Sequence, residues 1–217
     1  ATSYYGVSTG VGLAFGNLPR RSRRRAGMIG LGTGPLAAYA EKADVFRFYE
    51  INPLVVEYAS RHFTFLEDAR QRGATVEVEL GDARLSLERE ADQGFDLLVV
   101  DAFSSDSIPA HLLTFEAFAL YFRHLRPEGV LAVHISNRHL DLHPVVHSLA
   151  SSFGFVAWQV STPSAPDQRV SPSDWVLATR NLPLLLSPPL FRAGRPSRSA
   201  VDRLWTDDYH NLYQLLK

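Results

Sequence analysis

A glycine-rich turn constrains this chain more than any other feature. Residues 30–34 read Gly-Leu-Gly-Thr-Gly, directly after an apolar run at 26–29 and before a helix-like stretch at 35–42. Glycine is needed where the backbone adopts angles that a Cβ would block, or where a ligand approaches the main chain closely. The pattern predicts a strand, a tight turn and the start of a helix, whose free N–H groups can face a ligand.

The spacing of these glycines disfavours a nicotinamide or flavin dinucleotide. A dinucleotide-binding turn carries Gly-x-Gly-x-x-Gly, and its last position is occupied here by Pro35. A second motif, Gly-x-Ser-x-Gly at 6–10, matches the nucleophile turn of serine hydrolases. That turn needs a buried strand before it and a helix after it, and Gly12 would interrupt such a helix. A hydrolase is therefore a minor alternative.

Three acidic residues follow three predicted strands. Glu50 ends the apolar run 45–49, Asp82 comes after the strand-like 76–80, and Asp101 follows the fully apolar 97–100. The carboxyl ends of strands in an open parallel sheet line one crevice, where ligands bind. An acid at the tip of the second strand is placed to accept hydrogen bonds from both hydroxyls of a ribose.

Strands that alternate with helices predict an α/β fold with a doubly wound, mostly parallel sheet of seven strands. The 217 residues suffice for one domain with a sizeable core. We expect a loop or hairpin and a basic connector over 1–25, the α/β domain over 26–180, and a Pro-rich exposed segment with a terminal helix over 181–217. The Ser/Pro-rich loop 161–173 is predicted to hang over the ligand edge.

Composition excludes several classes of function. The net charge of -1 gives no field that would gather nucleic acid, and the absence of cysteine rules out thiol catalysis and thiolate metal sites. No run reaches the roughly 18 to 20 apolar residues that span a bilayer, and no signal peptide is evident, so a soluble, cytoplasmic chain is expected. His143 and His147 share a helix face, but without a fixed carboxylate no metal site is expected.

Taken in order, five motifs resemble the spermidine synthase family, and more closely its bacterial spermidine synthase-like branch. They are Gly-Leu-Gly-Thr-Gly at 30–34, Tyr-Glu-Ile-Asn-Pro at 49–53, Gly-Asp-Ala at 81–83, Val-Val-Asp at 99–101 and Trp-Thr-Asp-Asp at 205–208. The resemblance implies a class I methyltransferase-like, Rossmann-like fold. It implies decarboxylated S-adenosylmethionine or S-adenosylmethionine as cosubstrate, no prosthetic group and a small amine substrate. Members of this branch are often fused to a membrane-embedded domain, and a homodimer is compatible with the resemblance.

The resemblance also assigns roles to residues. Glu50 would hold the ribose, Asp82 the adenine amino group, and the glycines would lie on the sulfonium side. Asp101 matches the family's catalytic aspartate, and Tyr4 or Tyr5 its active-site tyrosine. The candidate cosubstrate-binding residues are Gly30, Gly32, Gly34, Glu50, Ile51, Asp82, Ala83, Asp101 and Ala102. The candidate catalytic residues are Asp101, Asp106 and Tyr5.

The chain departs from the family pattern in three places. The family's Asp-x-x-Asp loop has Ser104 at its last position, and the next acid is Asp106. The N-terminal β-hairpin domain of the family is largely absent, and the loop 161–173 lacks the family's tyrosine. Asp106, Asp207 or Asp208 is expected to hold the distal ammonium of the acceptor. Adenosyl binding is thus better supported than diamine binding.

The expected function is transfer of an aminopropyl group to an amine, with Asp101 as the base. Two alternatives stay open. A methyltransferase would use the same cleft without a second acid for a diamine, and a catalytically degenerate adenosyl-binding module would bind the nucleoside without turnover.

Overall fold

The structure, a computed structural model, describes residues 3–19, 21–102, 109–165, 167, 170–197 and 200–217. Their strands form a single mixed sheet in the order β3-β2-β1-β4-β5-β7-β6-β8. The strands are β1 (Arg25–Ile29), β2 (Val45–Glu50), β3 (Thr75–Leu80), β4 (Phe95–Val100), β5 (Leu125–His134), β6 (Val156–Thr162), β7 (Ser173–Thr179) and β8 (Gly194–Pro196). Strands β1 to β5 are parallel, and β7, β6 and β8 continue the sheet in antiparallel pairs.

Helices cover both faces of this sheet. They are α1 (Gly10–Asn17), α2 (Pro53–His62), α3 (Phe65–Gln71), α4 (Ala83–Arg89), α5 (Phe115–Arg123), α6 (His143–Ser152), α7 (Leu182–Leu185) and α8 (Pro188–Ala193). The predicted doubly wound, mostly parallel fold is confirmed. The described chain has eight strands instead of the seven predicted, because the three-residue β8 pairs with the edge of β6.

Two apolar clusters lie on the two faces of the sheet. One packs β4 and β5 against α4, α5 and α6, and the other packs the central strands against α1 and α3. All six residues of β4 are buried, as expected for a central parallel strand that is covered on both faces. This burial holds the ends of the parallel strands in register at one edge of the sheet.

The prediction of a loop or hairpin at the N-terminus is wrong, because residues 10–17 form α1. Thr9 caps this helix, and its first two glycines, Gly10 and Gly12, serve close packing instead of turns. A Cβ at Gly12 would lie 2.1 Å from the carbonyl oxygen of Gly6 and 2.7 Å from the Tyr39 hydroxyl. The helix therefore sits directly against the segment that precedes it, and Tyr39 also donates a hydrogen bond to the carbonyl of Tyr5.

Three other local predictions need correction. The segment predicted to be irregular and exposed over 181–198 is mostly exposed in its described part, 181–197, but it is not irregular: it holds α7, α8 and β8, and it buries Leu184, Leu185 and Leu190. Prolines follow the caps Asn181 and Ser187 of these helices, in positions where a missing N–H costs little. The predicted turn at 126–129 is part of β5, which absorbs it through a register shift against β4. The terminal helix is a short 3-10 helix, Leu212–Leu215.

None of the helices in the described ranges has the length and apolar character needed to cross a bilayer.

Candidate functional site

The carboxyl ends of the parallel strands open into a cavity of about 960 Å³, at the upper end of the volumes of small-molecule sites. Nearly all of the predicted site residues line it. They are Tyr5, Gly30, Gly32, Glu50, Ile51, Asp82, Ala83, Asp101 and Ala102. Gly34 does not line the cavity, and Asp106 and Ser104 lie outside the described residues. The cavity thus brings together side chains from segments up to about a hundred residues apart.

The glycine turn approaches the main chain of the neighbouring strand end. Gly30 has a φ of +100°, and a Cβ there would lie 2.4 Å from the carbonyl oxygen of Asp101. Gly32 also has a positive φ but faces open space. At Gly34 a Cβ would press on Leu66 at 3.0 Å, so that glycine serves the fold. The backbone angles confirm the first reason for glycine that the sequence suggested, and close approach of a ligand stays a prediction.

The predicted helix at 35–42 is only a 3-10 helix, Pro35–Tyr39. The amide of Gly34 is bonded to the carbonyl of Leu31 at 2.9 Å, and Pro35 has no N–H to offer. The helix start therefore presents few free donors. The Gly32 amide has no hydrogen-bond partner within the described chain and lines the cavity.

Glu50 is fixed at the tip of β2 by two backbone amides. Its Oε2 accepts from the N–H of Leu31 at 3.0 Å, and its Oε1 accepts from the N–H of Asn52 at 2.9 Å. The residue is 9% exposed and lines the cavity. Each carboxylate oxygen has more than one lone pair, so Glu50 can accept further hydrogen bonds from a ligand while it holds the glycine turn.

Asp82 caps α4, and its Oδ1 accepts from the N–H of Leu85 at 3.0 Å. Its other oxygen faces the ring of His111, with Oδ2 and Nε2 3.2 Å apart. Both residues line the cavity. One oxygen thus serves the fold, while the other is placed at the cavity wall where a ligand donor can reach it. Ile51 is 68% exposed beside this wall.

Asp101 lies at the end of β4 between two side-chain partners. His134 Nδ1 is 2.8 Å from Asp101 Oδ1, and the hydroxyl of Tyr5 donates to the same carboxylate. Burial, and secondarily the charge and hydrogen bond of Asp101, raise the pKa of Tyr5 far above its usual value. Tyr5 therefore stays protonated as a donor at neutral pH, and the carboxylate remains the acceptor.

His134 continues the polar chain beyond Asp101. Its Nε2 lies 2.8 Å from the hydroxyl of Ser136, which in turn accepts from the backbone N–H of Asp174 at 2.8 Å. The imidazole stacks on Trp175, with ring centroids 4.5 Å apart and planes 15° apart. His134, Ser136 and Asp174 all line the cavity.

Sequence reasoning missed these residues. The rule that identified the acids, polar side chains at strand ends, applies to His134 at the end of β5 as well and could have found it. Ser136 and Asp174 carry no motif of their own, and only their partners in space give them significance. His111 lies in the loop that was read as rich in polar residues, but its proximity to Asp82 depends on the fold.

Asp207 and Asp208 do not line the cavity, so the expectation that they hold a distal ammonium is wrong. Asp207 pairs both carboxylate oxygens with Arg84 and accepts from the Thr114 hydroxyl at 2.9 Å. The Arg84 guanidinium, through its hydrogen bonds, lowers the pKa of Asp207. Asp208 is exposed. Asp207 therefore ties the C-terminal segment to α4 and to the start of α5.

In the described part of the chain, no group of three or more His, Asp or Glu side chains could hold a metal ion. His143 Nε2 and His147 Nδ1 are buried there without a hydrogen-bond partner, and burial lowers the pKa of both imidazoles.

Of the loop 161–173, which was predicted to hang over the ligand edge, Ser171 and Pro172 line the cavity.

No protein-family model matches the chain. A curated relative, the polyamine aminopropyltransferase of Vibrio vulnificus (strain CMCP6), is 34% identical over 125 residues. The matched segment covers 55% of this chain and 39% of the relative. The chain therefore matches about two fifths of that relative's length.

Solved structures share the fold over most of the chain. A probable spermidine synthase from Corynebacterium glutamicum ATCC 13032 matches with a TM-score of 0.65 and 16% identity, covering 95% of this chain and 80% of that one. A spermidine synthase in complex with the transition state analogue AdoDATO matches with a TM-score of 0.55 and 14% identity, covering 86% and 64%. Human methyltransferase-like protein 13 in complex with SAH matches with a TM-score of 0.61 and 20% identity, covering 94% and 96%.

At these identities the structures establish the fold, and the curated relative adds likeness in sequence. The predicted resemblance to the spermidine synthase family is therefore confirmed: the chain is spermidine synthase-like in sequence over the matched segment and in fold over nearly its whole length.

Proposed function

We propose that this chain is an aminopropyltransferase that moves the aminopropyl group of decarboxylated S-adenosylmethionine to a small amine. The observation that carries the proposal is the convergence of Glu50, Asp82 and Asp101 on one cavity beside the turn at 30–34. The names of the relative and of two of the solved structures support the same reaction class. Glu50 would accept from the ribose hydroxyls, and Oδ2 of Asp82, which also faces His111 Nε2, would accept from the adenine amino group through its remaining lone pair.

The reaction joins an amine to the carbon next to a sulfonium. The amine lone pair forms the new C–N bond, the C–S bond breaks, and its electron pair returns to sulfur as methylthioadenosine leaves. An alkylamine with a pKa of about 10.4 is mostly protonated at pH 7, and exposing its lone pair costs about 4 to 5 kcal/mol. A site for this reaction must therefore favour loss of a proton from the amine.

Asp101 is the group that we assign to this task. It lines the cavity as a carboxylate, and its side chain is 10% exposed. A buried anion attracts the cationic amine and strengthens its interaction with the site, because the local dielectric constant is low. Tyr5 and His134 hold the carboxylate from two sides, so its direction toward the reacting nitrogen is defined before the substrate binds.

A methyltransferase is the second candidate, and two groups in the cavity favour it. A donor with a carboxylate, S-adenosylmethionine, needs a cation or free N–H groups. The unpartnered amide of Gly32 and the exposed side chain of Arg138 both line the cavity. The structure of the human methyltransferase-like protein with SAH shares the fold.

Calorimetry with methylthioadenosine, S-adenosylmethionine and decarboxylated S-adenosylmethionine tests the proposal, followed by product analysis with putrescine. We expect the decarboxylated donor to bind at least tenfold more tightly than S-adenosylmethionine and to yield an aminopropylated amine. Equal affinity for the two donors, with a methylated product, would support the methyltransferase. Tight binding of methylthioadenosine with no product from either donor would support a binding module.

The variant Asp101→Asn identifies the role of the carboxylate. General bases typically contribute ~10²- to 10⁴-fold, so we expect turnover to fall by about 10³-fold or more while methylthioadenosine affinity changes by less than about threefold. Asp208→Asn, an exposed acid outside the cavity, is the matched control and should leave both quantities unchanged. Wild-type turnover in Asp101→Asn would remove the assignment.

A further inference from the structure

Three polar side chains that line the cavity at the ends of β4 and β5 form a continuous hydrogen-bonded series. Asp101 Oδ1 is 2.8 Å from His134 Nδ1, and His134 Nε2 is 2.8 Å from Ser136 Oγ. Positions 101 and 134 immediately follow Val100 and Val133, which are partners in the β4–β5 ladder. The order carboxylate, imidazole, hydroxyl is therefore set by the register of two parallel strands.

Aromatic and polar neighbours fix the orientation of the imidazole ring. His134 is the antiparallel partner of Trp175, and its ring stacks on the indole, while the ring of Tyr4 lies 5.8 Å away on a tilted plane. His134 is 7% exposed. A flip of the ring would keep the stack but put carbon atoms opposite Asp101 and Ser136, so each nitrogen keeps its partner.

The partners define the tautomer. A carboxylate only accepts hydrogen bonds, so Nδ1 carries the hydrogen that faces Asp101. In the neutral ring Nε2 is then an acceptor, and the Ser136 hydroxyl donates to it. Ser136 Oγ also accepts from the Asp174 N–H at 2.8 Å, and a hydroxyl oxygen has two lone pairs. One lone pair of Ser136 therefore remains for a donor in the cavity.

The series accommodates either charge state of the imidazole. When Nε2 gains a proton, it donates to Ser136 Oγ, and the hydrogen of the Ser136 hydroxyl is released toward the cavity. Among the described residues, His134 contacts Asp101 from β4, Tyr4 from the N-terminal segment, Ser136 from its own strand end and Trp175 from β7, while Tyr5 and Asp174 line the cavity beside them.

We propose that Ser136, His134 and Asp101 act as one proton relay for the acceptor amine. The inference rests on the proposed function and deepens it, because Asp101 then acts on the amine through His134 and Ser136 instead of accepting the amine proton directly. As the C–N bond forms, the nitrogen gives a proton to Ser136 Oγ while the hydroxyl proton moves to His134 Nε2, and the resulting imidazolium is stabilised by Asp101. Tyr5, whose pKa is raised by burial and by Asp101, stays a donor and takes no part in the transfer.

The first test is the tautomer, which does not depend on turnover. We expect imidazole ¹⁵N shifts of the full chain to show the neutral ring of His134 as the Nδ1–H form, and the variant His134→Gln identifies the resonances. In Asp101→Asn the Nε2–H form should appear. An Nε2–H ring in the wild-type chain would overturn the relay even if aminopropyl transfer were demonstrated.

The second test is kinetic. We expect Ser136→Ala to lower kcat about tenfold with the amine KM nearly unchanged, and Ser136→Thr, which restores a hydroxyl, to recover most of it. His134→Gln should lower kcat about 100-fold and remove the histidine limb from its pH profile. Ser152→Ala, which loses a hydroxyl bonded to the Leu149 carbonyl on α6, is the matched control. Methylthioadenosine affinity confirms that each variant is folded.

Two outcomes would contradict the relay while leaving the proposed function intact. One is wild-type kcat and pH profile in Ser136→Ala and His134→Gln. The other is covalent labelling of Ser136 by a fluorophosphonate, which would show that the same geometry activates the hydroxyl as a nucleophile. If no donor supports transfer but the wild-type ring is Nδ1–H, the proposed function fails and the hydrogen-bonded series stands.

Discussion

The two ends of the cavity hold their acidic groups in different ways. At the ends of β2 and β3, backbone amides bind Glu50 and Asp82, and each amide lies within three residues of its acid or in the turn at 30–34. At the ends of β4 and β5, Asp101 is held by the side chains of Tyr5 and His134, which come from distant parts of the chain. The acids at the first end are held by backbone amides, and the acid at the second end is held by side chains that the tertiary fold brings to it.

This difference predicts how the two ends respond to substitution. A change in a main-chain-anchored acid should alter nucleoside affinity and local structure together. A change in Asp101 or in the side chains that hold it should alter turnover and leave the nucleoside bound. We call these the nucleoside end (Glu50, Asp82 and the turn at 30–34) and the amine end (Tyr5, Asp101, His134 and Ser136).

The largest effect at the nucleoside end is expected for Glu50→Gln. An amide has one acceptor oxygen, so it cannot serve the N–H groups of both Leu31 and Asn52 and a ribose as well. We expect methylthioadenosine affinity to fall about 100-fold, or about 2.8 kcal/mol, by calorimetry. Glu57→Gln, on the exposed surface of α2, is the control. A change below threefold would place the ribose elsewhere.

Asp82→Asn separates the two oxygens of this acid. The amide oxygen can still cap α4, while the position that faces the cavity becomes a donor and repels an adenine amino group. We expect nucleoside affinity to fall about tenfold, or about 1.4 kcal/mol, with little change in Tm. Asp82→Ala should lose the cap as well, which costs about 1 kcal/mol of stability. Equal affinity in both variants and the wild type would remove Asp82 from the nucleoside end.

Much of the nucleoside end could be predicted from the sequence, because its determinants are local. Glycines at 30–34 and acids directly after apolar runs are visible in the sequence, and the parallel sheet brings them together. Gly34 was the exception, since its role against Leu66 depends on a helix thirty residues away. The amine end was predicted only for Asp101 and Tyr5. His134 reads as a strand residue until Trp175 and Ser136 are seen around it.

Tyr5→Phe tests the amine end with a smaller change. Loss of the hydroxyl removes one hydrogen bond to Asp101 and leaves the ring in place. We expect kcat to fall about three- to tenfold, in line with about 1 kcal/mol for one hydrogen bond, with methylthioadenosine affinity unchanged. Tyr213→Phe is a matched control, because this tyrosine is 86% exposed and does not line the cavity. Equal kcat values in the two variants would show that Tyr5 does not orient the carboxylate.

The smallest effect is expected for Asp207→Asn, an acid that the sequence placed at the amine end and the structure places outside the cavity. Its pKa is lowered in the folded chain by Arg84, so its contribution to stability is present above the unfolded value and is lost as pH falls through the folded value. The side chain is 41% exposed, and we expect a loss of about 1 kcal/mol at pH 7. The difference from wild type in urea denaturation should shrink toward pH 3, and turnover should be unaffected.

The contact at Gly12 has a consequence for how this site can change. Helix α1 presses on the carbonyl of Gly6 and on Tyr39, and Tyr39 in turn holds the backbone of Tyr5. One added methyl group at position 12 would displace a cavity wall from the far side of a helix, with no polar atom altered. Apolar substitutions in α1 alone can therefore change the shape of the cavity. A screen for variants with altered amine preference has reason to sample that helix first.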